Sequence, residues 1–184
     1  MTTPDTILKT MRRLNLGVAL LVGVLLVACA VFILADIVLR QLGDSFGGTD
    51  EISGYVMAVA TSWGMAYALM ELAHVRIDFL RTRLPAMGRA LMDLFSMLIL
   101  SAVITLIAWQ CWPVLANSLA NGSTANTNLE TPLAWVQIPW LAGWIWFALT
   151  SWITLFAACV LVVTGRLDES EAAIGAFPET ELLE

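Results

Sequence analysis

Four long apolar runs, at about 14–39, 52–72, 90–115 and 139–163, take up most of this chain, and short polar stretches part them. Each is about twenty residues or longer, enough at ~1.5 Å per helical residue to cross a ~30 Å hydrocarbon layer. Lipid offers no water to backbone N–H and C=O groups, so continuous runs of this length span as helices. Composition agrees. Hydrophobic residues make up 59% of the chain and charged residues 13%, with a mean hydropathy of +0.82, whereas soluble domains are about 45–50% apolar. The expected fold is an all-α membrane protein: a four-transmembrane-helix bundle with short interfacial amphipathic helices.

Orientation follows from the stretch between the second and third runs, Ala73 to Arg89, which carries Arg76, Arg81, Arg83 and Arg89. Clustered basic residues in a short loop mark the cytoplasmic side. Four spans put the N-terminus, this loop and the C-terminus together, which collects Lys9, Arg12, Arg13, Arg76, Arg81, Arg83, Arg89 and Arg166, against Arg40 alone on the other side. Both termini are therefore expected in the cytoplasm, and a dual-topology small exporter, which needs balanced loops, is disfavoured. Within the loop, Ile77, Leu80 and Leu84 recur at helical spacing, which suits a short helix in the headgroup layer. The alternative is a solvated basic turn.

Residues 1–13 read as an amphipathic cytoplasmic lead, with Thr3 as cap, Pro4 at the first helical position and Ile7, Leu8, Met11 and Leu14 on one face. Leu26-Val27-Ala28-Cys29 resembles a lipoprotein cleavage box. The apolar run continues through Val31 to Leu34, however, so cleavage is not expected. The first span ends at Asp36 and Arg40, an i,i+4 pair placed near the outer interface at small desolvation cost. Gly43, Gly47 and Gly48 form a loop, after which Thr49, Asp50 and Glu51 are expected to cap the second helix.

Two rows of small residues mark that second helix: Gly54, Ala58, Ser62 and Ala66, and Ala60, Gly64 and Ala68. Small rows let another helix approach closely, from the same bundle or from a partner. The second helix is thus expected to be the most protein-surrounded, and the third, rich in Leu, Ile and Met, is the better candidate for a lipid-facing helix. An Arg89/Asp93 pair opens the third span, and Trp109 and Trp112 mark its outer end. A polar, nearly uncharged outer loop follows, with a turn at Asn121-Gly122. Pro139 lacks an N–H, so 133–138 is read as a separate interfacial element and span four as starting at 139. Residues 165–184 form an acidic tail, mobile or weakly helical, that supplies most of the net charge of -6.

Every ionisable residue of the spans lies near a span end, which leaves no intramembrane relay or ion path of the usual kind. His74 and Asp78, with Glu71, make too sparse a set for a metal site. A single histidine excludes a bis-histidine haem. Cys29, Cys111 and Cys159 lack CxxC spacing and read as small hydrophobes. Neither a catalytic residue, a metal ligand set nor a cofactor site is expected, and no nucleic-acid-binding face is visible.

Several features in order resemble a known family: Arg40 after span one, Asp50 and Glu51 opening span two, then Trp63-Gly64-Met65-Ala66, then His74-Val75-Arg76-Ile77-Asp78, and later Thr131-Pro132, Pro139 and Gly143. This pattern looks like the DctQ-like small permease subunit of TRAP (tripartite ATP-independent periplasmic) transporters, across about Leu14 to Val163. The resemblance implies a non-catalytic subunit in the bacterial inner membrane. Its partners would be a large multi-spanning permease subunit and a periplasmic substrate-binding protein, for sodium-coupled uptake of organic acids. By the same resemblance Arg40, Asp50 and Glu51 would face the binding protein and His74, Arg76 and Asp78 the cytoplasmic rim. Gly54, Ala58, Ser62, Gly64 and Ala66 would pack on the large subunit. The residues alone leave open a standalone small transporter or channel, or the membrane anchor of an oxidoreductase.

Overall fold

The computed structural model describes residues 3–74, 81–127 and 129–175. Among them run α1 (Thr3–Gln41), α2 (Thr49–Met70), a 3-10 turn (Arg81–Arg83), α3 (Ala86–Asn121), α4 (Leu133–Val163) and α5 (Leu167–Ile174). The only strand-like feature among the described residues is an isolated bridge between Thr124 and Pro132. By length and apolarity, three of the helices can cross a membrane: α1, α3 and α4. The fourth expected span, α2, has the length at 22 residues, but its Ser, Thr, Gly and Tyr positions dilute its apolarity.

α4 is the axis of the bundle and packs against α1, α2, α3 and α5. Half of its most apolar window is buried, against 28% for α3 and 0% for α1. Within the chain α4 is thus more enclosed than α2, and α1 more exposed than α3. The core joins Ala66 and Leu69 of α2, Met97 and Ile104 of α3, Phe147, Leu155 and Ala158 of α4, and Ile174 of α5. A smaller cluster of Cys111, Leu115 and Leu141 extends it towards the α3–α4 connection.

One boundary differs from the sequence reading, the start of α4, and two others are now defined. α1 runs unbroken from the lead into the first apolar run, with 39 residues that make it ~58 Å long at ~1.5 Å per residue. α4 begins at Leu133 and passes through Pro139 without a break. A proline removes one intrahelical bond, and membrane helices tolerate that where neighbours pack around the site. Here the Trp63 indole of α2 donates to the Pro139 carbonyl at 2.8 Å. Finally, the first part of the acidic tail is a docked helix, α5, whose Ile174 is 1% exposed.

α2 and α4 cross closely at Gly143. A Cβ there would lie 2.8 Å from both Ser62 Cβ and Trp63 Cδ1, so only glycine admits the contact. Hydroxyls in the bundle bond their own helices: Ser62 to the Val59 carbonyl, Ser101 to Met97 and Thr154 to Thr150. Asn15, fully buried, accepts a 2.9 Å bond from the Trp146 indole and so ties α1 to α4.

Candidate functional site: the two polar ends of the bundle

One end of the bundle holds the C-terminus of α1, the N-terminus of α2 and the loop between α3 and α4. Asp36 is 1% exposed and organises this end. Its Oδ2 accepts from Arg40 Nε at 2.8 Å, while Oδ1 accepts from the Ser45 hydroxyl and the Phe46 N–H, each at 2.9 Å. Phe46 stacks on Phe32 of α1, with centroids 5.4 Å apart. The Asp36/Arg40 pair is thus present as expected, but Asp36 is enclosed rather than wet.

α2 starts after Gly48, which is left-handed with φ 67. A Cβ there would lie 2.5 Å from Leu129 Cγ, so the glycine serves both the turn and the seat for the α3–α4 loop. Thr49 therefore opens the helix rather than capping it, and α2 has no side-chain cap. Glu51 accepts from the Tyr55 hydroxyl at 2.5 Å and from the Thr127 hydroxyl, which ties α2 to the same loop. Asp50 is exposed. Of the three residues expected at this face, Arg40 and Asp50 present polar groups outward, whereas Glu51 is engaged inside the chain.

Arginine–carboxylate clamps draw the opposite end together. Arg12 of α1 grips Glu71, just past α2, with contacts of 2.9 and 2.6 Å. Arg166 reaches Asp5 at 2.9 Å to both carboxylate oxygens and also pairs with Glu169. Arg81 binds Asp93 through two 2.9 Å bonds and Glu171 of α5 at 2.8 Å. Arg89 approaches Glu171 at 3.4 Å. The expected Arg89/Asp93 pair is thus replaced: Asp93 goes to Arg81, and Arg89 faces the tail. Hydrogen bonds donated to Asp93 and then to Glu171 raise the Arg81 pKa, and the bond from Arg81 holds the Glu171 carboxyl below its ordinary value.

His74 lies at this end with its ring stacked on Phe147, centroids 5.8 Å apart. Arg76 and Asp78, and with them most of the expected headgroup-layer helix, lie outside the described residues. Among the described residues no group of three or more His, Cys, Asp or Glu is arranged to hold a metal.

The small-residue row divides between two faces of α2. Ser62 and Ala66 are fully buried within the chain, Ala58 and Gly64 are half-buried and Gly54 is exposed. At ~3.6 residues per turn a four-residue row winds by about 40° per step, so it leaves the open face at Gly54 and reaches α4 by Ser62. Gly54 and Gly64 have open space where a Cβ would go. Sequence reasoning missed Asp36 as an organising group and Arg81, Asp93 and Glu171 as a cluster. The available signal was a basic loop and an acidic tail, each with surplus charge of opposite sign.

The groups that sequence order alone had placed far apart, Trp63 with Pro139 and Ser62 with Gly143, meet at the α2–α4 crossing. No curated protein and no solved structure matches the chain significantly. The profile of one family, described as tripartite ATP-independent periplasmic transporters, DctQ component, matches residues 29–164. That segment holds α2, α3 and α4 whole and the second part of α1, most of the chain. The protein therefore belongs to the DctQ family and is a non-catalytic small permease component of a TRAP transporter.

Proposed function

We propose that this subunit braces a large multi-spanning permease subunit in the bacterial inner membrane and helps to seat a periplasmic binding protein, for sodium-coupled uptake of an organic acid. In this reading α2 is a fourth span. It lies between α1 and α4, both apolar enough to cross, and its 22 residues reach ~33 Å. The clamped end, which gathers Asp5, Arg12, Glu71, Arg81 and Arg166, faces the cytoplasm by the positive-inside argument, with both termini there. The Asp36 end faces the periplasm. His74, Arg76 and Asp78 then belong to the cytoplasmic rim.

The observation that carries this reading is the distribution of charge. The ion pairs lie at the two ends, and the layer between them packs Met97, Ile104, Phe147 and Ala158 with hydroxyls bonded to their own helices. Such a body is a scaffold. The open face of α2, with Gly54, Met57 and Thr61 exposed and Ala58 and Gly64 beside them, offers the large subunit a close approach. Ser62 and Ala66 support that face from behind by fixing α2 on α4. At the other end Arg40 and Asp50 contact the binding protein, while Glu51 shapes the loop beneath it.

Reconstitution tests the proposal. Tagged subunit should co-purify with the large permease subunit, and vesicles should take up organic acid in a sodium gradient only when both are present with the binding protein. Uptake at the full rate by this chain alone would refute it.

A further inference from the structure

Arg40 is the only Lys or Arg between Arg13 and Arg76, and no Lys, Arg or His follows Arg89 until Arg166. It is therefore the one cation at its end of the bundle, with Asp44, Asp50 and Glu130 exposed around it. Its side chain is 52% exposed, while that of its partner Asp36 is 2% exposed. Nε and Nη2 of Arg40 both lie 2.8 Å from Asp36 Oδ2. Asp36 itself cannot swing, because Ser45 and the Phe46 N–H occupy Oδ1 and Phe46 is held by its stack on Phe32.

A guanidinium has five N–H donors in a rigid fork. Asp36 accepts the bond from Nε, with Nη2 beside it as an ion-pair contact, which leaves the N–H groups of Nη1 and Nη2. One N–H of Nη1 and one of Nη2 form the terminal edge that grips a carboxylate in two parallel bonds. A free arginine on a surface would have to be ordered on binding, and ordering one long side chain weakens an interface by roughly three- to tenfold. Here that ordering is already done in the free subunit.

We propose that Asp36 is a positioning residue for docking: it fixes Arg40 so that the terminal edge of its guanidinium meets a carboxylate on the periplasmic binding protein. The proposal rests on the reading of Arg40 as part of the docking face. Asp36 makes no contact with the incoming protein and acts through Arg40 alone.

The test is a double-mutant cycle on the intact transporter in nanodiscs, titrated with its binding protein. R40A should weaken docking at least tenfold and D36N three- to tenfold, with the double variant no weaker than R40A. In uptake assays D36N should raise the binding-protein concentration for half-maximal rate and leave the maximal rate in place, which a loss of scaffold integrity would not do. If D36N fails to assemble, S45A, which loosens Asp36 by one bond, takes its place with a smaller effect that also vanishes in the R40A background. Additive effects of D36N or S45A on R40A, or docking unchanged by either, would overturn the role of Asp36 while leaving Arg40 at the interface. Wild-type docking by R40A would instead remove the docking reading itself, and the role of Asp36 with it.

Discussion

Arg81 and Glu171 are 90 positions apart in the chain and 2.8 Å apart in space, so the start of α3 and the helix beyond α4 close on one another. The same guanidinium holds Asp93 through two bonds. Arg81 is 8% exposed and Asp93 3%. Removing one member of such an enclosed pair costs roughly 3–5 kcal/mol, because the remaining charge has lost its counter-ion. R81A should therefore lower the melting temperature of the purified subunit strongly. R81K should recover only part of the loss, since an ammonium cannot reproduce the fork. Equal melting of R81A and wild type would contradict the clamp.

Acid should release α5. The Arg81 bond holds the Glu171 carboxyl below its ordinary value of 4.5. A carboxyl depressed in the folded state adds stability above its unfolded pKa, and that contribution is lost as pH falls through the folded value. A spin label on exposed Glu169 should stay immobile from pH 7 down to the ordinary carboxylate range and become mobile below it. In E171Q the label should be mobile already at neutral pH.

The α2–α4 crossing sets different tolerances at two glycines. G143A drives a methyl into Ser62 and Trp63, and such overpacking costs about 1–3 kcal/mol. Nothing stands within 4 Å of a Cβ at Gly64, where alanine also favours the helix by up to about 1 kcal/mol. Thermal melts of G143A and G64A should therefore shift in opposite directions.

If the open face of α2 seats the large subunit, G54L should leave the melting temperature of the isolated subunit nearly unchanged and reduce co-purification with the large subunit. A Cβ at Gly54 has no atom of this chain within 4 Å, and a leucine side chain there fills the space a neighbouring helix needs. Undiminished co-purification would move the interface to another face.

The helical architecture was legible in the apolar runs, and the i,i+4 spacing of Asp36 and Arg40 marked a real pair. Other features were hidden for identifiable reasons. Pro139 read as a break because a lone sequence gives no sign of the Trp63 indole that packs there. Exposure of α1 was illegible because its Leu- and Val-rich run satisfies lipid and protein interior equally. Ser62 and Gly54 share one four-residue row, yet the winding of the helix sends them to different faces. Arg81 and Glu171 showed only as separate surpluses of charge, and pairing across 90 positions leaves no local spacing signal.

α1 is fastened near its two extremities, by Asp5 and Arg12 at one and by Asp36 at the other, while no residue of its most apolar stretch is fully enclosed by the chain. It behaves as a spar lashed at both ends. Apolar clefts lie along its flanks, one of about 540 Å³ against Trp152 and Phe156 and one of about 240 Å³ against Val59 and Trp63. The outer flank of such a member touches little of this chain, so the subunit can adjust that outline to a neighbour while the seam of α1 on α2 stays fixed.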